Sequence, residues 1–314
     1  MMHDRQVTIV LAAYKGGEYA GAQIESILAQ DLDDWFLVLS DDGEDTQEVL
    51  DFYAEKYPDR IWHYRSGRRF GSSRRHFMHL ISRFGQEAPY LMCCDQDDVW
   101  HPDKVRVTLE AMKKAEEACG AEKPVLVHTD LRVVDGELNE ICPSFMQFSK
   151  IDGSRLDFHE LLVQNAVTGC TMMVNRTLAN LAAPAEKDER IVMHDWWLAL
   201  IASAFGKVVF VPQATIDYRQ HGSNVVGAKN AGSLKYMAGR LFGSYAVDIR
   251  DASIAQTEAF LYHFSNRITP EQRRLCHMFM GLKSHGKAWR IRTMARYDLW
   301  KNTLPRRVGQ VIRW

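Results

Sequence analysis

Tyr90-Leu91-Met92-Cys93-Cys94-Asp95-Gln96-Asp97-Asp98-Val99-Trp100 decides the reading of this chain. Its first five residues form a continuous run suited to a strand covered on both faces. The run ends in three carboxylates within four residues. Like charges at that density repel one another unless a cation offsets them. Hard oxygen donors suit Mg2+ or Mn2+, and Mg2+ typically joins one or two carboxylates to substrate phosphates. The competing reading is a solvated acidic turn ahead of a helix entered through His101-Pro102.

Upstream, the same grammar repeats. Val7 to Ala13, Trp35 to Ser40 and Ile61 to Tyr64 read as strands. Between them lie amphipathic segments bearing Ile24, Ile27 and Leu28, then Val49, Leu50 and Tyr53, the latter with Thr46 as its cap. Phe77, Leu80, Ile81 and Phe84 mark a third helix before Tyr90. Strands alternating with helices imply right-handed crossovers and a parallel sheet. The polar clusters Tyr14 to Glu18, Asp41-Asp42-Gly43 and Asp95 to Asp98 then fall along one edge, where such sheets bind ligands.

Downstream the pattern is mixed. Val125 to Asp130 and Thr168 to Val174 read as strands, the latter entered through Gly169. His194-Asp195 opens a helix, and Val208 to Val211 and Ile216 to Arg219 read as two further strands. Beyond about residue 232 the chain reads as helical. The expectation is an α/β fold with a mixed, mostly parallel sheet flanked by helices. A catalytic unit over 1–228, with halves near 1–100 and 101–228, precedes a basic helical region at 229–314.

Composition bounds the function. The chain has 314 residues, 46% of them hydrophobic and 25% charged, which excludes disorder. With 39 Lys and Arg against 40 Asp and Glu, it is no general nucleic-acid binder. Residues 283–314 break that balance, holding nine Lys or Arg against Asp298 alone. Six cysteines without a C-x-x-C pair suggest buried thiols in a reducing, cytoplasmic setting. The apolar run from Trp196 to Phe205 suits a buried helix and is too short to span a bilayer.

Each candidate residue has a bland alternative. Asp41 and Asp42 are common turn residues, yet a carboxylate there can accept the imide N–H of a pyrimidine. Asp195 is an ordinary helix-start residue, but held against Trp196 and Trp197 it would be desolvated and made more basic, which suits a general base. Arg219 and His221 share a strand face where either can meet phosphate. Arg68, Arg69, Arg74 and Arg75 around Phe70-Gly71-Ser72-Ser73 can grip a diphosphate, against the plainer reading of an exposed basic loop.

In their order, the Val-Thr-Ile-Val-Leu-Ala-Ala-Tyr strand at 7–14, Ser40-Asp41-Asp42-Gly43, Asp95-Gln96-Asp97-Asp98-Val99-Trp100, His194-Asp195-Trp196-Trp197 and Tyr218-Arg219-Gln220-His221-Gly222-Ser223-Asn224 resemble family 2 glycosyltransferases of the GT-A fold, and bacterial rhamnosyltransferase-like members in particular. The resemblance spans about residues 5–226. It implies a Rossmann-like sheet and an inverting transfer from a UDP- or dTDP-linked sugar, dTDP-rhamnose among them, to a hydroxyl of a polysaccharide or lipid-linked glycan. Ala13, Tyr14, Glu18, Asp41, Asp42, Arg74, Asp95, Gln96, Asp98, Trp100 and Arg219 would face the donor. Gly169, Cys170, Thr171, His194 and Trp196 would face the acceptor. Asp97, Asp95 and His221 would hold Mg2+ or Mn2+, and Asp195 would be the base. His76 stands where the family usually has Asn before the Phe, and His194 where it often has Glu.

Two other classes compete: a non-catalytic nucleotide-sugar sensor on the same scaffold, and a sugar nucleotidyltransferase. The latter needs a basic, Gly-rich loop after the first strand, whereas acidic Glu18 follows Gly16-Gly17 here. The tail at 283–314 carries Trp289, Tyr297, Trp300 and Trp314 among its cations, as a segment resting on an anionic membrane would. That implies a peripheral site on the cytoplasmic face of the inner membrane. The plainer reading is a helix packed on the catalytic unit.

Overall fold

A computed structural model, which describes residues 4–43, 45–220 and 245–314, assembles the strands into one nine-stranded sheet. The first half alternates β1 (Val7–Ala13), α1 (Ala20–Leu28), β2 (Trp35–Asp41), α2 (Gln47–Lys56), β3 (Ile61–His63), α3 (Ser73–Phe84) and β4 (Tyr90–Asp95). The middle runs through β5 (Val99–Trp100), α4 (Lys104–Cys119), β6 (Val125–Val134), β7 (Glu140–Cys142), α5 (Phe145–Ser149) and α6 (Phe158–Val163). It continues through β8 (Met172–Asn175), α7 (Arg176–Ala182), α8 (His194–Phe205) and β9 (Lys207–Arg219). Four helices close the chain: α9 (Tyr245–Phe264), α10 (Pro270–Gly281), α11 (Lys287–Tyr297) and α12 (Leu304–Arg313).

The strand order is β3-β2-β1-β4-β8-β6-β9-β5, with β7 added on β6. β3, β2, β1 and β4 are parallel. β8 runs antiparallel to both β4 and β6 and so joins the two halves, while β6 and β9 are parallel again. Register aligns the strand ends that matter: Ala13 lies beside Asp41, and Ala12 beside Asp95. The three polar clusters therefore share one edge, as the alternation required.

Alternate residues of the central strands feed two cores. Val10, Val38 and Cys93 face a layer made by α3, α6, α7, α8 and the C-terminal helices. Ile9, Leu11, Leu37, Met92 and Cys94 face α1, α2 and α4. The C-terminal helices share the first core. Phe260 stacks near Phe158, Trp197, Phe205 and Phe264, at ring separations of 5.1 to 6.3 Å. Phe260→Ala is expected to cost about 3–5 kcal/mol, because the void it leaves is walled by rigid rings. Denaturant unfolding measures this.

Three local readings are corrected. Gly169–Thr171 is a 3-10 turn, and the strand begins only at Met172. The two strands expected over 208–219 are one, β9, which absorbs Pro212-Gln213 through register shifts against Thr129 to Arg132 of β6. Thr46 precedes α2 without capping it, and its hydroxyl accepts the Gly16 N–H at 3.2 Å instead. No helix among the described residues is long and apolar enough to cross a membrane.

Candidate active site

At the end of β1 the chain turns sharply, with Lys15 in the left-handed region (φ 54°). Two distant side chains hold this turn. Gln96 accepts from Tyr14 N–H at 2.6 Å and donates to Tyr14 C=O at 2.7 Å, so its amide pairs with the backbone like a neighbouring strand. Thr46 takes the N–H of Gly16, as above. A Cβ at 16 would fall 2.1 Å from Gln96 Oε1, so any larger residue there would displace the amide that holds Tyr14. The Tyr14 ring itself stays 53% exposed, and Glu18 is exposed beyond it.

The two carboxylates at the end of β2 do different work. Asp41 accepts from Gly43 N–H at 2.9 Å and Thr46 N–H at 3.4 Å, and burial pushes its carboxyl up. Asp42 accepts the N–H groups of Phe70 and Gly71, pinning the basic loop to the sheet edge. Three of the four arginines around that loop pair with acids of the segment before α8. Arg68 pairs with Glu186, and Arg74 and Arg75 pair with Glu189. His76, at the position that departs from the family pattern, bonds Ser40 at 2.8 Å and stacks on Phe70.

The acidic loop is the electrostatic centre. Asp95, Asp98 and Cys170 bring their ligand atoms within 4.8 Å of one another. Burial first, then Asp97 and Asp195, push Asp95 up to about 7. Asp98 is buried and lifted further by Asp97 and Asp95, and its Oδ2 has no hydrogen-bond partner among the described residues. Desolvation and the same carboxylates also push up the Cys170 thiol. The carboxylate oxygens of this group fit Mg2+ or Mn2+. Asp97 is half-buried and raises both neighbours through its charge, but it lies outside the Asp95–Asp98–Cys170 group. His221 falls outside the described residues.

Arg219, the last residue of β9, closes this loop from the other half of the sheet. Its N–H reaches Asp98 at 3.3 Å, its Nε donates to Asp97 C=O at 3.0 Å, and its guanidinium lies over the Tyr19 ring. Trp100 is buried, its N–H bonded to the Ser26 hydroxyl at 3.0 Å. Above it sits Lys104, also fully buried, with its Nζ 4.7 Å from the Trp100 ring centroid. That Nζ hydrogen-bonds nothing among the described residues. Burial lowers the ammonium to about 8, while Cys170, Cys94 and Asp98 hold it up.

Asp195 occupies the first turn of α8, behind Met193 as the cap residue. It accepts from Trp196 N–H at 2.5 Å, from Gly169 N–H and from the Asn165 side chain. Despite these bonds burial dominates, and its carboxyl rises to about 7. The Trp196 indole is turned away, donating to Leu161 C=O at 2.5 Å. His194 is buried against Phe77 at 4.3 Å, and burial depresses its imidazole to about 3, so it is neutral. Its Nε2 would stand 2.5 Å from a Cβ on Gly169, which keeps that position glycine and lets the Gly169–Thr171 turn close over Asp195.

The structure thus gathers Asp95, Gln96, Asp98, Gly169, Cys170, Asp195 and Arg219 at the junction of the two half-sheets. Asn165 and Lys104 join them without any sequence signal. Neither belongs to a motif: Asn165 reaches an acid 30 residues on, and Lys104 is turned inward over Trp100 by the fold.

A parallel half-sheet that ends in an acidic loop, joined to a mixed half carrying a buried carboxylate, is the architecture of a nucleotide-sugar-dependent glycosyltransferase of the GT-A fold. The family model for glycosyl transferase family 2 matches residues 8–180, and the chain belongs to that family, whose members are inverting enzymes. The chain is 25% identical over 235 residues to the dTDP-rhamnosyl transferase RfbG of Shigella flexneri, covering 72% of this chain and 76% of that one. Among solved structures it is similar to S. aureus TarS 1-349 in complex with UDP-GlcNAc, with TM-score 0.53 and 11% identity over 98% of this chain and 89% of that one. It is also similar to mannosyltransferase PcManGT from Pyrobaculum calidifontis in complex with GDP-Man and Mn2+, with TM-score 0.51 and 17% identity over 93% and 73% of the two chains. At these identities the two structures speak for the fold.

Proposed function

We propose that this enzyme moves a sugar, dTDP-linked rhamnose being the first candidate, to a hydroxyl of a cell-surface polysaccharide or lipid-linked glycan, with Asp195 as its base. The observation that carries this reading is a carboxylate raised to about 7 by burial, close enough to the acidic loop to shift Asp95. The RfbG likeness favours the rhamnosyl donor.

Asp195 takes the proton of the acceptor hydroxyl as that oxygen bonds to the anomeric carbon. The carbon–oxygen bond to the diphosphate breaks, and its electron pair leaves with the nucleoside diphosphate. One displacement inverts the centre, so no carboxylate is needed as a nucleophile. Asp95 and Asp98, with Asp97 beside them, would hold a divalent cation. Such an ion, when bound, offsets the charge that grows on the departing diphosphate. Tyr14 and Asp41, at the ends of β1 and β2, would face the base of the donor, and Gln96 fixes Tyr14 relative to the acidic loop.

A thermal-shift panel of nucleotide sugars with and without Mn2+ tests the reading. A dTDP-sugar is expected to stabilise most, and only with the cation. Equal shifts from all bases, or none, would overturn the donor assignment. Gln96→Ala releases both hydrogen bonds to Tyr14 and is expected to raise KM for the donor about tenfold, the equivalent of roughly 1.4 kcal/mol, with a smaller change in kcat.

A further inference from the structure

Helix α12 is built inside out. Its polar residues face the protein: Gln310 is buried and bonds the Leu299 carbonyl at 2.8 Å and the Lys301 N–H at 3.1 Å. Arg306 donates to the carbonyls of Ser149 and Lys150, and Arg307 to that of Lys301. Apart from Val311, which packs against the core, its large apolar residues face out. Leu304, Val308 and Ile312, spaced four apart on one face, are 74%, 46% and 59% exposed. The preceding helix α11 turns out Lys287, Ile291, Arg292 and Arg296. A packing helix would show the opposite pattern, since an outward apolar stripe costs free energy unless something covers it.

Charge selects what covers it. Residues 283–314 hold nine Lys or Arg against one acid, so the surface suits an anionic apolar partner. Position agrees. Asn302, just before α12, bonds Gln164 at 3.3 Å, and the next residue, Asn165, bonds Asp195. The exposed stripe is thus anchored to the segment that holds the proposed base.

We propose that Leu304, Val308 and Ile312 of α12, flanked by the cations of α11, insert into the surface of an anionic lipid bilayer and so bring the acceptor side of the active site to lipid-linked acceptors. The acceptor part of this proposal rests on the function above; the lipid contact does not.

The test is flotation of the full-length protein with vesicles of phosphatidylcholine alone or mixed with phosphatidylglycerol. Binding is expected only to the anionic vesicles and is expected to weaken with salt. Leu304→Ser/Val308→Ser/Ile312→Ser should lower it at least about tenfold, as should Lys287→Glu/Arg292→Glu. All five side chains are solvent-facing, so the melting temperature and transfer to a short soluble acceptor should be unchanged. Vesicle binding that survives the triple substitution overturns the proposal. So does a stable dimer by light scattering that the triple substitution abolishes, since a second copy would then be what covers the stripe. Vesicle binding needs neither donor nor acceptor, so an inactive protein that still floats supports the lipid contact while the transfer reading falls.

Discussion

Asp195→Asn should reduce transfer by about 10²–10⁴-fold while leaving donor binding and the fold intact, the range a positioned base commonly supplies. The amide keeps the shape, its one oxygen can still accept from Trp196 N–H, and its NH2 can donate to the Asn165 side-chain oxygen once that amide turns over, so the α8 turn is held in place. The pH dependence gives an independent reading. A base must be ionised to work, so kcat/KM should climb about tenfold per pH unit below about 7 and level off above it. The stability linkage has the matching sign. Burial raises this carboxyl in the folded state, so its contribution is present at low pH and is lost as pH rises through about 7. At pH 8 the asparagine variant should therefore melt no lower than the wild type. A variant that transfers normally would remove Asp195 from the mechanism.

The second large effect is expected at Asp98. Asp98→Asn should lower transfer by about 10²-fold or more and abolish the Mn2+-dependent part of the donor thermal shift. The reason is the unpartnered Oδ2, a buried oxygen that nothing else in the described structure uses. The metal-free variant should be at least as stable as the wild type, since one of three crowded carboxyls has lost its charge. Isothermal titration with Mn2+ and dTDP separates the two components. An unchanged Mn2+ affinity would assign the cation to other carboxylates of the loop.

Much of this was legible in the sequence because it is local. β1, β2 and β4 announce themselves as apolar runs because both their faces are covered, and the acidic loop because three carboxylates crowd four residues. Thr168 to Val174 has the pattern of a strand because Cys170 to Val174 is a largely apolar run; Gly169–Thr171 turns instead because the backbone must pass a buried imidazole 25 residues later. Pro212 breaks the strand pattern of β9 in the sequence, but the sheet accommodates it by slipping register. Thr46, Asn165 and Lys104 were invisible for a common reason. Their partners lie in other elements, and nothing in their own neighbours distinguishes them from a cap, a loop amide and a solvated lysine.

Lys104 bears on how the enzyme is made. Its ammonium, buried over Trp100, leaves the acidic loop partly balanced before any divalent ion arrives. The folded chain thus carries its own cation beside the acidic loop, so the loop can fold without borrowing charge from solution.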